Sequence, residues 1–305
     1  MKRILPITVL AFVVLTLLPF QAFAASTSKP YTVAAGATSN LGPSVVRSCG
    51  DGSGSTSAGI GYVGTDGHLN EDLPGVGGYN DIFNTTTVAP AIVCYNNYSY
   101  MAWTGTDGYP RIGQWNYNNV ITLSGVATFS NAASGGPTLT VCNGTLYLGW
   151  VGAASPHYLN IVSDPFGADK KVTLTDYTQS NVGFALTCAN NQVYAAWLAS
   201  SGTPYFYIGT FTGSSQLSNA GRKGGDYSAY RPGISGNSSG NIEIFFKGYT
   251  TTDLYTAVYN PSNGIYYSAV DHSDVHTLYG PAVDYEFTAY TGTDHKIYYD
   301  SGFFF

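Results

Sequence analysis

Three aspartates recur in one short frame: Gly64-Thr65-Asp66-Gly67-His68, Gly105-Thr106-Asp107-Gly108-Tyr109 and Gly292-Thr293-Asp294-His295. Each has a ring close behind it, His68, Tyr109 or His295. A carboxylate accepts hydrogen bonds from neighbouring hydroxyls, and an aromatic face stacks on the apolar face of a sugar. Together these residue types point to carbohydrate binding. Asp-Gly is also a strong hairpin-turn step, and turn chemistry alone accounts for the residue choice.

Other candidates are sparser. Arg231 follows Asp226-Tyr227 and Tyr230, where it could clamp an anionic ligand or pair with Asp226. The glutamates are Glu71, Glu243 and Glu286. Paired carboxylates could serve as acid and base in glycoside hydrolysis, but no pair among Asp66, Asp107, Asp226 and Asp294 stands apart. Asp271-His272-Ser273-Asp274-Val275-His276 has metal-ligating types, and reads better as a polar loop than as a metal site. No serine-hydrolase elbow, P-loop or dinucleotide fingerprint occurs. No cofactor and no metal are expected.

What must position these residues is a repeat. A Gly-Pro or Ala-Pro step opens a short apolar run at Pro43, Pro90, Pro137, Pro232 and Pro281, with Phe184 replacing Pro and Arg231 replacing Gly in two copies. These landmarks are 47, 47, 47, 48 and 49 residues apart. Behind each comes an aromatic followed by a small-residue turn: Tyr62, Trp103, Trp150, Trp197, Phe246 and Tyr290. The tryptophans of this column are read as packing between repeats.

The second repeat shows the internal grammar. Residues 90–95 form a strand, Asn96-Asn97 a turn, residues 98–104 a second strand, and the Asp107 hairpin leads to strands over 111–117 and 120–129. Turn signals every 8–12 residues without helical periodicity indicate an all-β fold. Four strands taken six times predict a six-bladed β-propeller of four-stranded blades. A parallel β-helix is the weaker alternative, since it needs shorter repeats and no such hairpins.

The last repeat lacks a fourth strand. Residues 29–33 match residues 170–174 of the third repeat, so the N-terminal strand is expected to finish blade six and close the ring, removing an open edge. Repeats six, one and two then become neighbours, and Asp294, Asp66 and Asp107 fall on one face with the connections between blades.

Lys2 and Arg3, an apolar stretch over 4–20 and Ala22-Phe23-Ala24 read as a secretory signal peptide over residues 1–24, leaving 25–305 as one propeller and no membrane anchor after cleavage. The net charge is −6, with 12 Lys and Arg in the whole chain, which is a poor basis for nucleic-acid binding. Cys49, Cys94, Cys142 and Cys188 fall near the first strands of repeats one to four. An even count in an exported chain favours disulfides. Cys49–Cys188 would cross the ring, and other crossed pairings skip a blade. That leaves Cys49–Cys94 and Cys142–Cys188, with a bulge expected because Cys142 and Cys188 differ in strand parity.

The chain resembles secreted β-propeller repeat proteins, the broad group that includes propeller lectins and sialidase-like folds. Trp103-Thr104-Gly105-Thr106-Asp107, Trp150-Val151-Gly152 and Trp197-Leu198-Ala199 carry the resemblance. The leading expectation is a secreted, non-catalytic, lectin-like module that binds a glycan or polysaccharide through Asp66, His68, Asp107, Tyr109, Arg231, Asp294 and His295. A glycoside hydrolase or lyase with a site at the ring centre is the alternative, and a protein-interaction scaffold the third.

Overall fold

The computed structural model describes residues 31–32, 38–47, 49, 58–73, 77–116, 122–167, 172–180, 182–200, 202–285 and 287–300. The proposed signal peptide and Glu286 lie outside them.

The described residues form six four-stranded antiparallel sheets. Blade 1 holds Ser44–Arg47, Ala58–Val63, His68–Leu73 and Gly77–Thr85. Blade 2 holds Ala91–Tyr95, Tyr98–Thr104, Pro110–Asn116 and Thr122–Thr128. Blade 3 holds Thr138–Cys142, Thr145–Val151, Tyr158–Ser163 and Val172–Gln179. Blade 4 holds Phe184–Ala189, Gln192–Leu198, Tyr205–Phe211 and Ser218–Tyr227. Blade 5 holds Gly233–Gly236, Ile242–Lys247, Asp253–Asn260 and Ile265–His276. Blade 6 holds Ala282–Asp284, Phe287–Thr291 and Ile297–Asp300, and takes its fourth strand from Tyr31–Thr32.

The first strands touch one another in order, and that of blade 6 touches that of blade 1, so the six sheets make a closed ring. Closure is antiparallel, with Tyr31 opposite Tyr299 and Thr32 opposite Tyr298. A bridge from Thr38 to Lys296 and the bond from Ser39 N to His295 O (2.9 Å) extend it. The chain is a six-bladed β-propeller with its N-terminal strand in the last blade.

Among the described residues the core divides into six clusters, one per gap between blades. Trp103 lies in the gap between blades 1 and 2, Trp150 between 2 and 3, and Trp197 between 3 and 4. All three are buried, so each fills the space behind its own blade, as the packing role expected of them requires. Phe246 does the same between blades 4 and 5. The smallest cluster, Phe245 with Leu254, occupies the gap between blades 5 and 6.

The landmark steps form the neck of the ring. A Cβ on Gly42, Gly136 or Gly280 would collide with a backbone carbonyl of the preceding blade, so the bare glycine lets the first strands converge. Further along, four of the first strands are tied to the next by a side chain that accepts a backbone N–H. Thr138 Oγ1 takes Leu186 N (3.0 Å), Thr187 Oγ1 takes Gly236 N (2.9 Å), Ser235 Oγ takes Tyr285 N (2.7 Å) and Asp284 Oδ2 takes Arg47 N (2.7 Å).

Cys49–Cys94 and Cys142–Cys188 are disulfides. The expected bulge is absent: both hairpins that carry Cys142 and Cys188 run in unbroken register. Facing sheets present opposite surfaces to their shared gap, so residues that meet there need opposite parity. The one-residue offset is therefore what brings these two cysteines together.

The 271–276 segment is also corrected. It is not a loop but the end of the fourth strand of blade 5. That strand is the blade's outer edge and mostly exposed, and its end over 271–276 lacks the apolar alternation by which a strand is recognised. Its two histidines are engaged within the blade, His272 Nε2 with Thr256 Oγ1 (2.7 Å) and His276 Nδ1 with Asp253 (2.8 Å). Among the described residues no cluster of three or more metal-ligating side chains occurs.

Candidate functional site

The propeller has two faces. The upper face carries the turns between second and third strands and the connections between blades. The lower face carries the turns between first and second and between third and fourth strands. The central channel is narrow above, about 70 Å³ around Arg231, Pro232 and Pro281, and widens below to about 350 Å³ between Arg47, Thr140, Thr187, Ser235 and Asp284.

Asp66, Asp107 and Asp294 lie on the upper face in equivalent turns of blades 1, 2 and 6. Each carboxylate closes its own turn by accepting a backbone N–H two residues on: His68 N (3.1 Å), Tyr109 N (3.2 Å) and Lys296 N (3.1 Å). Arg111 grips Asp107 with both guanidinium nitrogens, and this pair, with the Tyr109 N–H, holds the carboxyl down at about 2. Asp294 also accepts from Tyr298 OH (3.0 Å) and pairs with Lys296 Nζ (3.3 Å). The preceding glycine of the frame follows from this. A Cβ at Gly105 would strike the Arg111 guanidinium, and one at Gly64 or Gly292 would crowd the Asp carboxylate that folds over it.

Tyr109 is exposed, His295 sits at a left-handed φ of 63°, and His68 is half-buried with no hydrogen bond to its buried Nδ1. Arg231 stands apart from this arc. It reaches across the channel neck past Gly183 and donates to Pro137 O of blade 3 (2.5 Å). Burial brings its guanidinium down to about 10, still charged at neutral pH. It does not pair with Asp226, whose carboxylate instead accepts from Tyr266 OH (2.8 Å) and Ala269 N (3.3 Å) of blade 5.

Two further clefts, larger than the channel cavities, lie on the lower face between blades 3 and 4 and between blades 4 and 5. The first measures about 440 Å³ and the second about 430 Å³. They are built alike. Tyr147 of blade 3 meets Phe211 of blade 4 edge-on, with ring centroids 6.2 Å apart. One blade later Tyr194 and Tyr259 line the corresponding walls. Phe211 and Tyr259 occupy matching register positions, opposite Val193 and Ile242. Burial, a bond with Thr210 and the neighbouring Tyr259 act on the Tyr194 hydroxyl, and burial prevails to push its pKa up.

The lower-face hydrogen bonds between these blades repeat as well. Asn143 Nδ2 donates to Asn191 O of the next blade (2.8 Å), and Asn190 Nδ2 to Gly240 O of the next (3.1 Å). Both asparagines also take the left-handed turn conformation, at φ 51° and 48°. A third aromatic pair, Tyr100 with Phe166 at 5.4 Å, spans blades 2 and 3.

In the cleft between blades 3 and 4, Tyr147 and Phe211 are partly exposed and offer ring surface beside hydroxyl and amide groups, on which a sugar can pack, whereas Tyr194 and Tyr259 of the next cleft are each 5% exposed and back it from the core. The sequence reading missed them. Tyr100, Tyr147 and Tyr194 recur at the spacing of the repeat, three residues before Trp103, Trp150 and Trp197. An odd step along a strand turns a side chain to the opposite face. The Trp column therefore fills the gap behind each blade, and the Tyr column enters the gap ahead.

No protein-family model matches the chain, and no curated protein matches it. Solved structures do. The SapL1 lectin in complex with alpha methyl fucoside is similar at a TM-score of 0.56 and 11% identity, over 81% of this chain and 85% of that one. This chain shares its fold with a lectin. A variant of AofleA from Arthrobotrys oligospora is similar at a TM-score of 0.61 and 8% identity, over 89% and 81% of the two chains. Luciferin-regenerating enzyme is similar at 0.56 and 12%, over 90% and 96%. At these identities the likeness is one of fold, and function rests on the site.

Proposed function

We propose that the chain is a secreted, non-catalytic carbohydrate-binding propeller. The observation that carries this is the repetition of one cleft between successive blades, with Tyr147 and Phe211 in one copy and Tyr194 and Tyr259 in the next. Repetition suits multivalent glycan binding, in which weak single sites gain avidity from simultaneous engagement of one polymer. A catalytic centre, by contrast, asks for convergent carboxylates in one pocket. In the channel cavity Asp284 is the one carboxylate among the described lining residues, and it is bonded to Arg47 N. The fucoside held by SapL1 agrees with the reading. Two disulfides and the basic-then-apolar N-terminus support export, and no helix of the described residues is long and apolar enough to cross a membrane.

A glycan array on residues 25–305, followed by calorimetric titration of the hits, tests the proposal. Tyr147→Ala and Phe211→Ala are expected to weaken binding about tenfold each, in line with the loss of a stacked ring. Asp66→Ala and Asp107→Ala are expected to leave it unchanged. Loss in the aspartate variants alone would move the site to the upper face, to Asp66, His68, Asp107, Tyr109, Asp294 and His295. No bound glycan at all would refute the function.

A further inference from the structure

The two lower-face clefts differ in charge. None of the described residues lining the cleft between blades 3 and 4 is charged. The cleft between blades 4 and 5 holds Lys223, with its ammonium 4.7 Å from the centroid of the Tyr259 ring. Among the described residues no carboxylate lies within ion-pair distance of Lys223. The other lining groups with hydrogen-bonding side chains, Gln192, Tyr194, Thr210, Asn219 and Tyr259, are neutral.

The placement follows from the sheet. In the fourth strand of blade 4, Arg222 pairs with Tyr207, and the next pair along is Tyr227 with Tyr205. Residues 223–226 bulge out of the ladder, and a bulge re-aims the side chains it carries. Arg222 turns to the Tyr205 ring, 3.4 Å from its centroid. Lys223 turns into the cleft. Asp226, the acid nearest in sequence, is committed to Tyr266 and Ala269 of blade 5. The bulge is packed down by Tyr266, which lies directly over Gly224.

In a chain of net charge −6, an ammonium in an aromatic cleft with no acid partner is a counter-charge without its anion. We propose that the cleft between blades 4 and 5 selects a sugar carrying an anionic substituent, with Lys223 as the residue that reads the charge, while the cleft between blades 3 and 4 takes a neutral sugar. Tyr194 and Tyr259 back the cleft from the core, Gln192 and Asn219 supply hydrogen bonds to hydroxyls, and Lys223 supplies the bond to a carboxylate or sulfate. The proposal rests on the carbohydrate-binding reading and deepens it. It makes the ligand a mixed polymer with acidic and neutral residues.

The test is titration of residues 25–305 with three probes of equal length: tri-galacturonate, a sulfated galactotriose and neutral galactotriose. Lys223→Gln is expected to weaken the anionic probes about tenfold or more and leave the neutral probe unchanged, since one charge-assisted bond is lost. Lys223→Arg is expected to restore most of the binding. Tyr147→Ala is expected to weaken the neutral probe and spare the acidic ones. The two anionic arms decide between carboxylate and sulfate. Equal affinity for acidic and neutral probes in the parent protein and in Lys223→Gln would overturn the charge-reading role and leave carbohydrate binding standing. Absence of binding by all three, together with a blank glycan array, would remove both.

Discussion

Removing the Cys142–Cys188 bridge gives the sharpest test of how the ring holds together. The bridge closes a loop of 46 residues, almost one full repeat, and joins blades 3 and 4. Chain-entropy arithmetic for a loop of that length gives about 4 kcal/mol of stabilisation through the unfolded state. The Cys49–Cys94 loop spans 45 residues, so the entropic contribution of the two is nearly equal. Their surroundings are not. Cys142 is buried beside Val151, Leu159 and Ile161, whereas Cys49 lies beyond the end of its strand. Cys142→Ala with Cys188→Ala is therefore expected to cost about 4 kcal/mol plus a packing loss, and the Cys49→Ala, Cys94→Ala pair about 4 kcal/mol with a smaller packing loss, since Cys94 is only partly buried. For a chain of this size that is a fall in Tm of about 8–16 °C. Trp150 and Trp197 flank blade 3, so their fluorescence follows the transition, and scanning calorimetry checks the enthalpy. A double variant that melts within about 2 °C of the parent would refute the reasoning. A larger loss for the Cys49–Cys94 pair would refute the packing part.

Deleting residues 25–36 should lower the melting temperature of the whole ring rather than of blade 6 alone, because Tyr31–Thr32 completes that blade; calorimetry of the truncated form decides it. Trp150→Ala should cost about 3–5 kcal/mol as a cavity in the gap between blades 2 and 3, read by chemical denaturation. Glu243 is buried, and burial pushes its pKa up to about 6 against the bond from Asn237. A raised acid favours the protonated fold, so its contribution is full below about pH 4.5 and lost as pH rises through 6. The difference is about 2 kcal/mol. Glu243→Gln should flatten that stretch of the stability–pH curve and stabilise the protein at pH 7; an unchanged slope would show that Glu243 does not titrate there.

The ring was legible in the sequence because its constraints are local to each repeat. The Gly-Pro landmark marks where backbones nearly touch at the neck, and the aromatic column marks the gap behind each blade. Closure was legible because residues 29–33 repeat residues 170–174. The cysteine pairing followed from which blades are neighbours. The end of the fourth strand of blade 5 was not legible, because in residues 271–276 Val275 is the single apolar residue among Asp271, His272, Ser273, Asp274 and His276.

The candidate site was obscured for a different reason. Asp66, Asp107 and Asp294 draw attention because they are conspicuous polar residues at equivalent places. Yet each carboxylate closes its own turn, and two of them also hold a cation at or just before the third strand. The lower-face clefts draw on residues about one and a third repeats apart, Tyr147 with Phe211 and Tyr194 with Tyr259. Neither member is unusual in its own strand, and the pair exists only once the blades are stacked. What the sequence does hold is phase. A Tyr column that runs three residues ahead of a Trp column must face the other gap, since strand side chains alternate. In blade 5 that position is occupied by Glu243, which lies opposite Ser235 as Tyr194 lies opposite Thr187. The aromatic positions thus run over blades 2 to 5 and give way to a carboxylate at the gap toward blade 6. The Tyr–Trp phase and its break at Glu243 bound the arc on which sugar binding is to be sought.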